Sequence, residues 1–253
     1  MEIAGFVEAL RQDGEELIDC SARAGWDTVV PTCPEWRVRD LIAHTGSVHR
    51  WAAGYLAGRT EPGPIEICAP DDVDTLAAWF RDGHRELLNR LTEGPADLEC
   101  WTFLPAPTPL AFWARRQAHE TAIHRVDAER ALGVQPREFT AHFAKDGIDE
   151  LLAGFHVRAR SRVRTEQPRS LLVQTTDDRP HKGQQPRAWL LHLSSEPLWV
   201  EQLADTGSVS ADCTISGPSP TVYRTLWNRG RYEDLDVTGD ASLVELWRRT
   251  SAV

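Results

Sequence analysis

Two histidines and a glutamate fall within six residues of the stretch RRQAHETAIHR, at positions 119, 120 and 124. Imidazole and carboxylate are the usual ligands of catalytic zinc, so the segment invites a metal-binding reading. The zinc-protease pattern HExxH needs histidines four apart on a helix. Here His119 and His124 are five apart, which turns them roughly 140° from one another and prevents them sharing an ion. Glu120 and His124 are four apart, on one face, with Cβ atoms about 5–6 Å from each other, close enough to grip one ion together. Trp113, Gln117 and Asp127 share that face by the same count.

Two ligands do not make a site. Leu41, His44, Val48, Trp51 and Tyr55 follow a 3-4-3-4 spacing, which places His44 on the inward stripe of another helix and turns His49 away from it. A buried histidine needs a polar partner, and an ion shared with Glu120 and His124 would satisfy all three. The spacing equally allows His44 to be a hydrogen-bonded core residue and Glu120–His124 to be a solvated pair. Periodicity does not say whether the two helices are neighbours.

The elements that must position these residues are helical in the first half. Amphipathic spacing predicts helices over residues 3–22, 35–57, 72–92 and 110–132, the last stopped at Gly133. Thr32-Cys33-Pro34-Glu35 matches a capping box for the second. One more helix is expected over 139–154. Then come short alternating or β-branched runs, over 156–164, 170–176, 187–193 and 208–216, punctuated by DDRP, QQPR and GPSP. Late helices are expected over 218–228 and 240–249. The expected fold class is therefore α+β, with an all-helical domain over 1–150 and a smaller mixed domain over 151–253.

The 253 residues carry a formal charge of −10, which argues against a nucleic-acid partner. No apolar run is long enough to span a membrane. The N-terminal stretch lacks the basic start and apolar middle of a signal peptide, so a cytoplasmic location is expected. Five scattered cysteines with no CxxC pair indicate neither a disulfide framework nor a cysteine-rich zinc site. Lys145 and Lys182 are the only lysines among 28 basic residues, a bias typical of GC-rich coding.

VPTCPEWRVRDLIAHTGSVHRW and WARRQAHETAIHRVDAERALG resemble the mycothiol-dependent maleylpyruvate isomerase family, and so does ADCTISGPSPTVYRTLWNRGRYEDLDVTGDASLVELWRR. The resemblance implies a DinB-like four-helix bundle followed by an α/β domain related to sterol carrier protein. It implies His44, Glu120 and His124 as ligands of one divalent metal, foremost zinc. It also implies mycothiol as thiol cofactor, which suits the arginine-biased composition of an actinobacterial genome.

Two imidazoles and a carboxylate leave coordination positions open, as in catalytic zinc sites. A coordinated thiol loses its proton near neutral pH and could isomerise or conjugate an electrophilic small molecule. Arginine suits a carboxylate-bearing substrate or cofactor. Arg229 is the candidate from the second domain, expected to face the metal, and Arg116 is the weaker candidate, with a surface ion pair as the alternative. Gln117 and Asp127 are candidates to orient ligands. Trp36, Trp51 and Trp113 are assigned to the core. Cys33 is not expected to be a nucleophile. The competing functions are a metal-dependent hydrolase and a non-catalytic lipid- or small-molecule-binding protein. A monomer or weak homodimer is expected.

Overall fold

The computed structural model describes residues 1–95, 97–177, 188–203 and 209–252. The expected turns DDRP and QQPR fall wholly or partly outside that range. The chain forms two compact units, Met1–Arg137 and Glu138–Val253. The helix expected over 139–154 therefore belongs with the second unit rather than closing the first.

Four helices build the first unit: α1 (Ile3–Ala24), α2 (Val38–Leu56), α3 (Val73–Glu93) and α4 (Pro109–Leu132). α1 packs along α4, and α2 along α3. The apolar stripe of α1, Phe6, Leu10, Leu17 and Ile18, is buried, and Leu41, Ile42, Leu76 and Phe80 meet it from α2 and α3. Side-chain caps fix the starts of two helices. Asp72 accepts from the Asp74 and Thr75 N–H groups of α3, and the Thr108 hydroxyl accepts from Ala111 of α4, with Pro109 in the first turn. Gly133, at φ 80°, ends α4 in the left-handed conformation that glycine tolerates best.

Ahead of α2 the structure departs from expectation. Residues 33–37 form strand β2 (Cys33–Arg37), antiparallel to the short β1 (Val29–Val30). The capping box expected from Thr32 and Glu35 does not form. Instead the Arg37 N–H donates to Asp40 Oδ2 (2.8 Å) at the true start of the helix. The Thr32 hydroxyl donates to Asp127 Oδ1 of α4 at 2.5 Å, because a buried carboxylate is the stronger acceptor.

α4 is buried on every side, and eight of its buried residues are polar: Arg116, Gln117, His119, Thr121, His124, Arg125, Asp127 and Glu129. Most buried polar groups in folded proteins find a hydrogen-bond partner. On the α1 side, Arg125 donates from Nη1 to Glu129 Oε2 (2.6 Å) and lies with Nε 2.8 Å from Asp13 Oδ1. Arg137 closes the cluster, pairing with Asp13 through its guanidinium and with Glu129 through its N–H. His119 also turns toward α1, edge-on to Phe6 with ring centroids 5.9 Å apart.

His49, expected to face away, is fully buried as well. Its Nε2 lies 2.9 Å from the Thr121 hydroxyl, and its ring packs beside His84 of α3. The periodicity misleads there because α2 is covered by neighbours on both sides.

The second unit is a five-stranded sheet in the order β5-β4-β3-β6-β7, from β3 (Arg169–Thr175), β4 (Ala188–Leu193), β5 (Trp199–Leu203), β6 (Cys213–Gly217) and β7 (Asp236–Gly239). β3 and β6 run parallel, and all other neighbours are antiparallel. Helices α5 (Ala141–Asp149) and α6 (Ser219–Leu226) pack together, with Phe139 and Phe143 against Tyr223. α5 runs into a π-helical turn at Glu150–Phe155, and α7 (Ser242–Thr250) follows β7. The Trp189 indole donates to Asp149 Oδ1 (3.1 Å), tying β4 to the end of α5. Leu172, Ala188 and Leu190 form a second cluster with Leu203, Val209 and Ala211.

The strand expected over 156–164 is absent. Those residues turn instead, through Arg158 N–H to Phe155 O and Ser161 N–H to Arg158 O. Alternating Val and Arg mimics strand periodicity, but among the described residues no strand pairs with the run.

Candidate metal centre

α2 and α4 are neighbours in the bundle, and this brings His44 to Glu120 across 76 residues of sequence. His44 Nε2 and His124 Nε2 each lie 3.3 Å from the same Glu120 oxygen, Oε1. The two imidazole rings meet edge to face with centroids 5.1 Å apart. One ligating atom from each of the three residues lies within 4.8 Å of the other two. Zinc–ligand bonds of about 2.0–2.2 Å in a tetrahedron separate ligand atoms by roughly 3.4 Å. The two 3.3 Å separations match that spacing. Two nitrogens and one oxygen also suit a borderline-soft divalent ion, so the donor set fits.

The surroundings of the three residues are built to aim them. His124 Nδ1 is 2.9 Å from Asp127 Oδ2, a fully buried carboxylate. That contact reserves Nδ1–H for Asp127 and leaves Nε2 free to face Glu120 and His44. Asp127 is held in turn by the Thr32 hydroxyl, with Cys33 Sγ 3.9 Å from its other oxygen. Glu120 uses its two oxygens separately. Oε2 accepts from Arg116 Nη2 at 3.1 Å, while Oε1 turns to the imidazoles.

Burial alone would push the Glu120 carboxyl up, but hydrogen bonds from His124 and His44 and the charges of His124 and Arg116 hold it well below the usual range. Burial would likewise lower His124, yet Asp127 and Glu120 together raise its imidazole to about 9. A protonated His124 thus supplies, in the metal-free protein, part of the positive charge that the carboxylates attract.

The other sequence candidates fall in different places. Arg116 is 3 % exposed, so the surface ion pair considered for it is a buried pair, made with a proposed metal ligand. Gln117 bonds to none of the three. Arg229 lies in the second unit just past α6, following the left-handed Asn228, and its Nη1 donates to the Trp227 carbonyl (2.9 Å). Trp113 is buried, as assigned, and Trp51 packs edge-on against it.

Trp36 is the exception among the tryptophans. Its ring lies against both His44 (4.9 Å) and His124 (6.0 Å), walling the site. Sequence spacing could not place Trp36 or Thr32, because both arrive on the β1–β2 hairpin rather than on a helix face.

Two family models match the chain: the mycothiol maleylpyruvate isomerase N-terminal domain over residues 7–129, and the MDMPI C-terminal domain over residues 142–246. The chain belongs to the mycothiol maleylpyruvate isomerase family. The family's two domain models fall on the two compact units described above. Solved structures share the fold: a mycothiol-dependent maleylpyruvate isomerase (TM-score 0.62) and a histidine-to-alanine mutant of it (TM-score 0.61). Each is 13% identical, and the match covers 94% of this chain and 93% of theirs. No curated protein matches the chain. No described helix is long and apolar enough to cross a membrane.

Proposed function

We propose that the protein is a divalent-metal-dependent enzyme that uses a small thiol, mycothiol, to isomerise or conjugate an electrophilic small molecule. The convergence of His44, Glu120 and His124 on one point carries this reading, and membership of the family gives it direction. These three side chains would hold the ion, with zinc the metal best matched to two imidazoles and a carboxylate. Bound there, a divalent ion supplies Lewis acidity, which makes a coordinating thiol ionise near neutral pH.

The chain's own residues do the rest. Asp127 accepts from His124 Nδ1 and fixes the tautomer that presents Nε2. Arg116 binds the outer oxygen of Glu120, orienting the carboxylate while leaving Oε1 available. Trp36 packs its ring beside both imidazoles and limits the orientations open to them. No cysteine of the protein is required as nucleophile.

Held beside these residues, mycothiol would supply a nucleophile suited to reversible addition across a conjugated double bond, for isomerisation, or to lasting conjugation, for transfer. Arg229 is our candidate to bind a substrate carboxylate, by two parallel hydrogen bonds. A cytoplasmic location, where small thiols stay reduced, agrees with five free cysteines.

The test is metal analysis of the purified chain, followed by consumption of an electrophile with and without thiol. Stoichiometric zinc and thiol-dependent turnover are expected. Turnover that is unchanged when the thiol is omitted would favour hydrolysis instead.

A further inference from the structure

One polar side chain on α4 belongs to neither of the clusters described. Gln117 is 1% exposed, and its Oε1 is enclosed with no hydrogen-bond partner. A buried polar group in that condition costs stability and calls for an explanation.

Its position suggests one. Gln117 shares the face of α4 that carries Trp113, Glu120 and His124. α2 runs beside this face, with His44 against Glu120 and Trp51 against Trp113. Between those two levels α2 carries the buried Ser47 and Val48; the Ser47 hydroxyl donates to the Ala43 carbonyl of its own helix and makes no hydrogen bond to Gln117. Three residues along a helix advance about 4.5 Å, which sets Gln117 that far from the level of Glu120. A charged group would be poorly solvated next to Val48 and Trp113, whereas a neutral donor would not.

We propose that Gln117 is the specificity residue of the site: its amide oxygen accepts from an amide N–H carried by the thiol whose sulfur sits at His44, Glu120 and His124. The proposal rests on the metal-and-thiol reading above. A thiol with an acylamino group two carbons from sulfur has the reach that this axial step requires.

The test uses the full chain loaded with Co2+ and titrated with two thiols, N-acetylcysteine N-methylamide and propanethiol, followed by the cobalt–sulfur absorption band. The wild type should bind the amide thiol about tenfold more tightly than propanethiol, the value of one buried hydrogen bond. Gln117→Met should bind both alike, with its Co2+ affinity and its propanethiol affinity unchanged. Equal preference for the amide thiol in wild type and variant would overturn the proposal. Absence of Co2+ uptake by the wild type would instead overturn the metal reading, and the proposal with it.

A second measurement is independent of metal. Removing an unsatisfied buried amide should raise the Tm of the metal-free Gln117→Met protein by a few degrees. A lowered Tm would show that Gln117 is already satisfied in the fold, and would equally sink the proposal.

Discussion

Helix α4 carries two buried charged clusters on opposite faces, and they are built on opposite principles. On the α1 side, Arg125 and Arg137 alternate with Asp13 and Glu129, and each charge lies against its opposite. On the α2 side, two imidazole nitrogens and a carboxylate oxygen point at one another, while Asp127 and Arg116 restrain the ligands from behind. The first cluster is complete as it stands and serves as a brace. The second is a set of electron-pair donors converging on a single point, which is what a cation needs. Burial and charge do not separate a brace from a site, but the direction in which the donors face does.

Four substitutions or titrations would break or sharpen that contrast. The largest effect is expected from Arg125→Met, which strands the buried Asp13 and Glu129. Denaturant unfolding should show a loss of about 3–5 kcal/mol, with metal stoichiometry of the folded protein retained. A loss below about 1 kcal/mol would mean the cluster is no brace.

Glu120→Ala should act first on the metal. It should weaken metal binding by more than about 100-fold, the upper range for a residue one shell further out, and also lower metal-free stability, because it strands the buried Arg116 guanidinium. Calorimetric titration with Zn2+ measures the first effect and thermal unfolding the second.

Asp127→Asn keeps the shape but loses the charge that orients His124. About 10–100-fold weaker metal binding is expected, and unchanged affinity would remove Asp127 from the site.

The smallest effect is the slope with pH. His124 titrates at about 9 in the metal-free protein, and an ion can bind only its neutral ring. Metal Kd should therefore fall about tenfold for each unit of rising pH below that value. Stability of the metal-free protein should run the other way. A raised folded pKa contributes fully below the unfolded value of about 6.5, and that contribution fades as pH climbs through about 9. Parallel rather than opposed slopes would contradict the assignment of His124.

Much of this was legible in the sequence wherever helical period alone decides. The spacing of Glu120 and His124 excludes the protease pattern and puts those two on one face, and the inward stripe of α2 carries His44; the structure brings the three side chains together. Period fails where a residue's partner is set by tertiary structure. Thr32 has the sequence of a helix cap and bonds instead to Asp127, 95 residues away. Trp36 looks like a core residue and walls the site because a hairpin carries it there. The short strands β5 and β7 have mostly exposed residues and no clean alternation, so nothing in their composition announces them. Gln117 shares that face of α4 by period, but only the structure shows that its buried amide oxygen finds no partner.

Trp36 has a further consequence. A protonated imidazole in contact with an indole quenches its emission, and Trp36 touches both histidines of the centre. Displacing the His124 proton should therefore brighten this one fluorophore among the ten tryptophans of the chain. The difference spectrum between the protein and a Trp36→Phe variant isolates its signal. The same ring contacts make the protein its own optical gauge of what the centre holds.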